Sequence, residues 1–272
     1  MKHAQSRPED SIRFANAIGH VPDPKNPLAS VVSPMPWLGL GMKAAGATPS
    51  MSAENLLRFV TLHLNRGTTP DGERLSSRSS VREMQRQQHR LTANTRLGVS
   101  GWGLGWFLDT WSGQKVFGHD GGTVGQYSFL RVLPAKNLAL VLLTNGGDAI
   151  SLYDDLFRSI FASIGKAQMP QLPEPPKRPL KNLERLIGRY ENLTGTIEIS
   201  GDVQNLKAEI TPKPGLLVGM ESTRTPVEAL SNSLLRMDSN NPQLARTTLA
   251  FEGEIDGVAA FVSMGMRLYR RC

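Results

Sequence analysis

Cysteine is almost absent from this chain: there is one, Cys272, and it is the last residue. An intrachain disulfide is therefore excluded, and so is a metal site built from cysteines. Histidine is nearly as scarce, with five in 272 residues. His63 and His89 fall in helical stretches without a second ligand at helical spacing, which is not the pattern of a zinc site. No metal and no cofactor are expected. Aromatic residues make up only 6%, and no Arg/Lys track alternates with them, so the signature of nucleic-acid binding is missing. No apolar run approaches the roughly 20 residues that span a bilayer. Behind Met1-Lys2-His3-Ala4-Gln5 there is no apolar stretch, and no secretory leader is expected in these residues.

What is present describes an ordinary globular chain. Hydrophobic residues are 39% and charged residues 20%, and the length suffices for one large domain or two modest ones. The net charge of +7 could favour an anionic partner. The basic residues are scattered, however, with their densest groups at 74–90 and 177–189, as a solvated basic surface requires.

In chain order, residues 1 to about 49 are rich in Pro and Gly. Pro22, Pro24, Pro27, Pro34 and Pro36 exclude a helix through their middle. Ser52 is placed to cap a helix with the stripe Leu56, Leu57, Phe59, Val60 and Leu64, stopped by Gly67. Leu75-Ser76 opens a second helix through Val81, Met84 and Gln88. Gly101 to Leu108 reads as one strand, turned back at Trp111-Ser112-Gly113-Gln114. Ser151 caps a further helix whose buried stripe is Leu152, Leu156, Phe157, Ile160, Phe161 and Ile164. Residues 166–181 hold five prolines and no apolar period, an extended linker. Beyond it, short alternating segments predict strands at 196–200, 206–211, 216–220, 234–237, 247–251, 258–263 and 267–270, hence a small all-β barrel or sandwich.

The stretch Val116 to Gly147 carries the chemistry. Two strand-like runs flank a turn at Pro134-Ala135-Lys136-Asn137, and the second, Leu138 to Leu143, is six apolar residues in a row. That pattern belongs to a strand buried on both faces. Before the first run stands His119, followed by a glycine-rich bend, Asp120-Gly121-Gly122. Glycines there let a ligand or another backbone approach. On chemistry alone a titratable imidazole in this place is either a site residue or an ordinary surface histidine.

His119-Asp120-Gly121 resembles the third motif, K-T-G or H-x-G, of the class C β-lactamase-like serine hydrolases. This family includes D-alanyl-D-alanine carboxypeptidases, D-aminopeptidases and esterases. The likeness runs through Gly125 into the Leu138–Asn145 strand. Upstream, Ala17-Ile18-Gly19-His20 resembles the family's A-x-G-Y/H, Met51–Phe59 its S-T-A-x-D-L-x-x-F helix, and the Leu75 helix its L-S-x-x-S-V-x-x-M-Q. Leu186-Ile187-Gly188-Arg189-Tyr190 resembles the start of the lipocalin-like domains appended to such hydrolases. The resemblance implies an α+β fold, an antiparallel sheet flanked by helices forming part of a transpeptidase-like domain. The expected domains are 1–165, a linker 166–181, and an all-β domain 182–272. It also implies acyl transfer to serine, with His119 and the backbone of Gly121 and Gly122 at the reacting centre. Gly122 N–H would be an oxyanion donor, with Asp120 and Gly125 against the substrate. Family members are often exported or periplasmic.

The family's nucleophile motif S-x-x-K and its Y-x-N have no convincing counterpart. Ser112-Gly113-Gln114-Lys115 lies in an expected hairpin turn rather than at a helix start, and Tyr190-Glu191-Asn192 follows His119 instead of preceding it. No G-x-S-x-G elbow exists, and His119 and Asp120, as neighbours on a strand, cannot form an orienting pair on one face. The chain is thus expected to correspond to the later part of a serine hydrolase, starting in the middle of a longer domain. It would act on a small-molecule or peptide acyl substrate only when completed by an N-terminal half. Two other classes compete: a non-catalytic binding protein whose barrel holds an apolar ligand, and an anionic-surface binder.

Overall fold

The computed structural model describes residues 1–272 except 2, 24, 40, 42, 44–45, 92–98, 215–221, 240–246 and 266, with the backbone alone at 27 and 28. Two compact units emerge: Met1–Arg90 with Gly101–Met169, and Leu91–Ser100 with Pro170–Cys272.

The first unit opens with β1 (Ala4–Gln5), a short α1 (Pro8–Ser11), β2 (His20–Asp23) and β3 (Asn26–Val32). The proline-rich opening therefore contains a hairpin, β2–β3, which periodicity does not reveal because prolines sit inside it. β4 (Ser50–Met51) pairs with β1 and leads into α2 (Ala53–Leu64). Ser52 caps α2 by accepting from the Asn55 N–H. α3 (Arg78–Met84) is shorter than its apolar pattern suggests, capped at Ser77 and ended at Gln85. Then follow β5 (His89–Arg90), β6 (Gly101–Trp102), β7 (Phe107–Trp111), β8 (Gln114–Thr123), β9 (Gln126–Leu133) and β10 (Leu138–Thr144). They form one antiparallel sheet in the order β10-β9-β8-β7-β6-β5. The expected single strand Gly101–Leu108 is in fact a hairpin. Gly105 at φ +74° turns the chain, and Trp102 pairs with Phe107.

Helices cover both faces of this sheet. On one, Val60 of α2 meets Trp106, Phe117, Leu130 and Val132, with Ala139 and Val141 packed alongside. On the other lies α4 (Ala149–Ile160), capped by Asp148 rather than Ser151. Its buried stripe is Ala149, Tyr153 and Phe157, continued by Phe161, while Leu152 and Ile164 are exposed, a shift from the stripe expected. The stripe moves because the aromatic rings stack: Tyr153 lies on Phe129 at 4.6 Å, and Phe161 meets Trp111 edge-on at 5.1 Å.

His63 on α2 is buried among Phe59, Trp106 and Phe117, with its Nδ1 lacking a hydrogen-bond partner. Burial lowers its pKa from the ordinary 6.5. The unfolded state thus binds a proton first as pH falls. The stability tied to the neutral ring is complete above about 6.5 and declines below it. Comparing the wild type with His63→Leu at pH 7.5 and 5.5 should show a smaller drop in melting temperature for the variant. An equal drop in both proteins would remove His63 as the cause.

The second unit is a closed antiparallel barrel. Its strands are β11 (Gly188–Asn192), β12 (Gly195–Ser200), β13 (Lys207–Pro212), β14 (Thr223–Ser231), β15 (Leu234–Met237), β16 (Thr248–Ile255), β17 (Val258–Met264) and β18 (Arg267–Arg271). β11 closes the barrel on β18. The sequence pattern misses β14, whose Pro226 argues against a strand, and the expected strand 216–220 lies outside the described residues. Tyr190, Ile197, Ile199, Leu235, Met237 and Leu249 are all essentially without exposure and fill the interior. An eight-stranded barrel has an interior of the size that side chains fill or that holds one small ligand.

Candidate active site

Two tight turns set the geometry around His119. Ser112 (φ +48°) and Gly113 (φ +78°) form the two-residue turn between β7 and β8, closed by Trp111 opposite Gln114. Val124 and Gly125 (φ +78°) form the turn between β8 and β9, closed by Thr123 opposite Gln126. The glycine-rich bend expected after His119 is straight strand instead, because β9 pairs with it residue for residue as far as Thr123.

Closing pairs of such turns exchange hydrogen bonds, and the pattern then alternates along an antiparallel ladder. His119, Gly121 and Thr123 accordingly bond to β9, and Gly118, Asp120 and Gly122 direct their N–H and C=O the other way. There β7 reaches only to Gly118, which pairs with Phe107. From His119 onward one backbone edge of β8 has no strand beside it among the described residues. The Asp120 carbonyl on that edge receives the His119 ring at 2.6 Å. A carbonyl only accepts, so Nδ1 is the donor of this bond. The Gly122 N–H projects from the same edge, whereas Gly121 spends its own on Ser128.

The exposed imidazole rests on an aromatic platform. It stacks on Phe107 at 4.5 Å and meets Trp102 at 5.9 Å. The Tyr127 ring lies opposite Gly122, 3.6 Å from where a Cβ would stand there.

The Asp120 side chain is turned away into the fold. Its two oxygens take a bidentate pair from Arg131, at 2.6 and 2.9 Å. Arg131 is 1% exposed, lies over the Tyr153 ring, and also donates to the Leu130 carbonyl. Burial opposes its charge, but the Asp120 carboxylate and Tyr153 outweigh that, and the pKa stands above its ordinary value. What Asp120 presents toward the open edge is therefore backbone.

Gly125 abuts the Ala17–His20 segment. A Cβ on Gly125 would stand 2.5 Å from the His20 carbonyl oxygen, and one on Gly19 2.3 Å from that of Val124. Gln126 donates to the Ala17 carbonyl, Asn145 to that of Ile18, and the His20 N–H to that of Asn145. The two stretches singled out in the sequence, 17–20 and 119–125, are thus brought together.

The other sequence candidates lie elsewhere. Ser112 sits in its turn, accepting from the Gln168 N–H. Tyr190 is buried in the barrel, donating to the Leu186 carbonyl and accepting from Arg271. The chain holds a second S-x-x-K, Ser163-Ile164-Gly165-Lys166, but it ends the α4 helix, with Lys166 at φ +51°, instead of starting one. Trp102, Phe107, Tyr127 and Arg131 have no motif to announce them. Only counting outward from the Val124-Gly125 turn would have placed Tyr127 and Arg131 beside the glycines.

A sequence model of the beta-lactamase family matches residues 1–162. Penicillin-binding protein 4 of Amycolatopsis lactamdurans is 33% identical over 198 residues, covering 72% of this chain and 51% of that protein. The chain thus spans about half the length of that curated relative. Among solved structures, SurE superposes with a TM-score of 0.64 at 22% identity, over 94% of this chain and 55% of that one. SurE with D-Leu gives 0.62 at 22%, over 94% and 59%. An octameric penicillin-binding protein homologue from Pyrococcus abyssi gives 0.50 at 17%, over 99% and 56%. At such identities these structures speak for the fold. The sheet between its helices agrees with them, and with well over half of its residues matching the family model, this chain belongs to the beta-lactamase family.

Proposed function

We propose that the chain supplies one wall of a serine hydrolase site and not its nucleophile. The observation that carries this reading is the open edge of β8, where among the described residues no strand pairs with Gly122 on that side and the His119 ring is exposed. In acyl transfer a serine oxygen attacks the acyl carbon, and the former carbonyl oxygen gathers negative charge. A fixed N–H aimed at that oxygen stabilises it without reorganisation. His119 Nε2 accepts a hydrogen bond from the substrate or from the proton-shuttling group. Asp120 acts through its backbone, and Gly125 by holding the Ala17–His20 segment against the turn. The nucleophile belongs to the part of the fold beyond this half. The relatives' names, a penicillin-binding protein and SurE solved with D-Leu, support acyl substrates that carry D-amino acids.

The purified chain should take up neither a fluorescent penicillin nor a fluorophosphonate, and robust labelling at any serine would sink the reading. Mixed with the part of the A. lactamdurans protein that it does not match, it should label. Gly122→Pro, which deletes the N–H, should slow that labelling by about a hundredfold. The competing reading is a non-catalytic interaction protein on the same fold. It draws support from both S-x-x-K motifs lying away from a helix start, and a mixture that binds without ever labelling would favour it.

A further inference from the structure

The basic group at 74–90 reads in the sequence as an ordinary solvated surface, but the fold arranges it in a particular way. From Arg58 to Arg90 the chain carries seven basic residues, all arginine, against three acids, Asp71, Glu73 and Glu83, a net of +4 out of the chain's +7. Arg58 is paired with Glu54, and Arg86 with Glu83. Asp71 and Glu73 stand in the turn that Thr68 and Arg74 close, off α3. The Arg74 guanidinium donates to the carbonyls of Arg66 and Ser76, which ties the end of α2 to the approach of α3. Arg78 and Arg82, four residues apart, share one face of α3, and both are exposed. Among the described residues no carboxylate pairs with Arg66, Arg74, Arg78 or Arg82. Like charges at that helical spacing work against a helix and not for it. Two exposed leucines frame the surface. Leu75, 59% exposed, precedes α3; Leu104, 49% exposed, stands at its far end, its N–H donating to the Met84 carbonyl. Gly103 beside it holds the β6–β7 turn against α3, since a Cβ there would stand 2.1 Å from the Met84 oxygen.

We propose that this surface docks on a bilayer rich in anionic phospholipid, with the free arginines on headgroup phosphates and Leu75 and Leu104 entering the headgroup layer. The proposal stands apart from the hydrolase reading and does not depend on it. A guanidinium takes a phosphate through two parallel hydrogen bonds and sheds its water more readily than an ammonium, which suits a set made of arginine alone. Basic residues flanked by exposed apolar ones are the pattern of surfaces that lie in the interface of a membrane. A soluble polyanion would engage the arginines and leave both leucines idle. Each arginine near an anionic surface strengthens binding roughly fivefold, so the contact is a sum of several weak terms and is reversible.

Sedimentation of the whole chain with vesicles tests this, one set made of phosphatidylcholine alone and one of equal parts phosphatidylcholine and phosphatidylglycerol. The chain should bind the second set and not the first. Raising NaCl from about 0.1 M to about 1 M, which shortens the screening length from roughly 10 to 3 Å, should release it. Arg78→Gln/Arg82→Gln should weaken binding about thirtyfold, roughly fivefold for each charge removed. Lys177→Gln/Arg178→Gln takes the same charge from exposed linker positions and should leave binding nearly unchanged. Leu75→Ser/Leu104→Ser should weaken vesicle binding yet leave retention on a heparin column as it was. All six positions are exposed, so thermal melts should match the wild type and separate lost docking from lost folding. No binding to the phosphatidylglycerol vesicles, equal binding to both sets, or equal losses in the linker and α3 variants would overturn the proposal. So would leucine variants that bind vesicles as the wild type does, a result that assigns the surface to soluble polyanions instead.

Discussion

Replacing Arg131 with methionine should lower folding stability by about 3–5 kcal/mol, seen as a shift of the urea midpoint at unchanged slope. The cost comes less from the lost pair than from what remains. Asp120 is only 13% exposed at its side chain, and without the guanidinium its carboxylate would be left largely buried and without this partner. Asp120→Asn should be damaging for the mirror reason, since it strands the arginine. The double variant Asp120→Leu/Arg131→Met should recover most of the loss, because two apolar residues leave no buried charge behind. A double variant as unstable as the sum of the singles would refute the pairing. The ion pair also has a consequence for the site. Gly118 lies opposite Arg131 and Asp120 opposite Phe129, so the pair pins β8 and β9 diagonally. A slip by one residue would send Asp120 to the other face, and His119 with it. The double variant should therefore regain stability and yet show faster exchange along β8–β9.

Gly118→Ala should cost about 3 kcal/mol, and Gly122→Ala, four residues along the same strand, less than about 1. The difference is one of space. A Cβ at Gly118 would come within 1.9 Å of the Leu130 carbonyl oxygen and 3.0 Å of Arg131 Cδ. Backbone cannot step aside there without parting β8 from β9. At Gly122 the same atom meets only the Tyr127 ring, at 3.6 Å, an ordinary contact. Thermal melts of the two variants side by side check this, and equal losses would show that strand propensity rather than crowding governs the stretch. Gly118 attracts no notice in the motif, whereas Gly121 and Gly122 do. Of the three, it is the one crowded by backbone; a Cβ at Gly121 would stand 2.6 Å from the Ser128 side-chain oxygen instead.

Much of the fold was legible because its signals are local. The Ser52 cap, the α2 stripe, the six-residue apolar run and the closely spaced strands of the barrel each follow from residues near one another. The misreadings share a cause as well. α3 ends early, Gly101–Leu108 folds back on itself, and the α4 stripe rotates onto Tyr153. In each case a partner distant in sequence decides what a local pattern leaves open. β10 shows this most clearly. Its six apolar residues read as a strand buried on both faces, but its residues are only partly buried and Leu143 is exposed, because the strand stands at the edge of its sheet and composition carries no record of how many neighbours a strand has.

By itself, the sequence determined the family and singled out the His119–Gly122 stretch, though as a glycine-rich bend and not as the strand it is. These depend on residue identity and spacing, which a linear chain displays. Tertiary structure decided the rest. It turned the Asp120 carboxylate away to Arg131, left the Gly122 N–H beyond the end of β7, and set the Ala17–His20 segment against Gly125. The physical reason is register. Which backbone groups pair and which face outward depends on where two distant turns close, and a one-residue difference would reverse every one of those assignments.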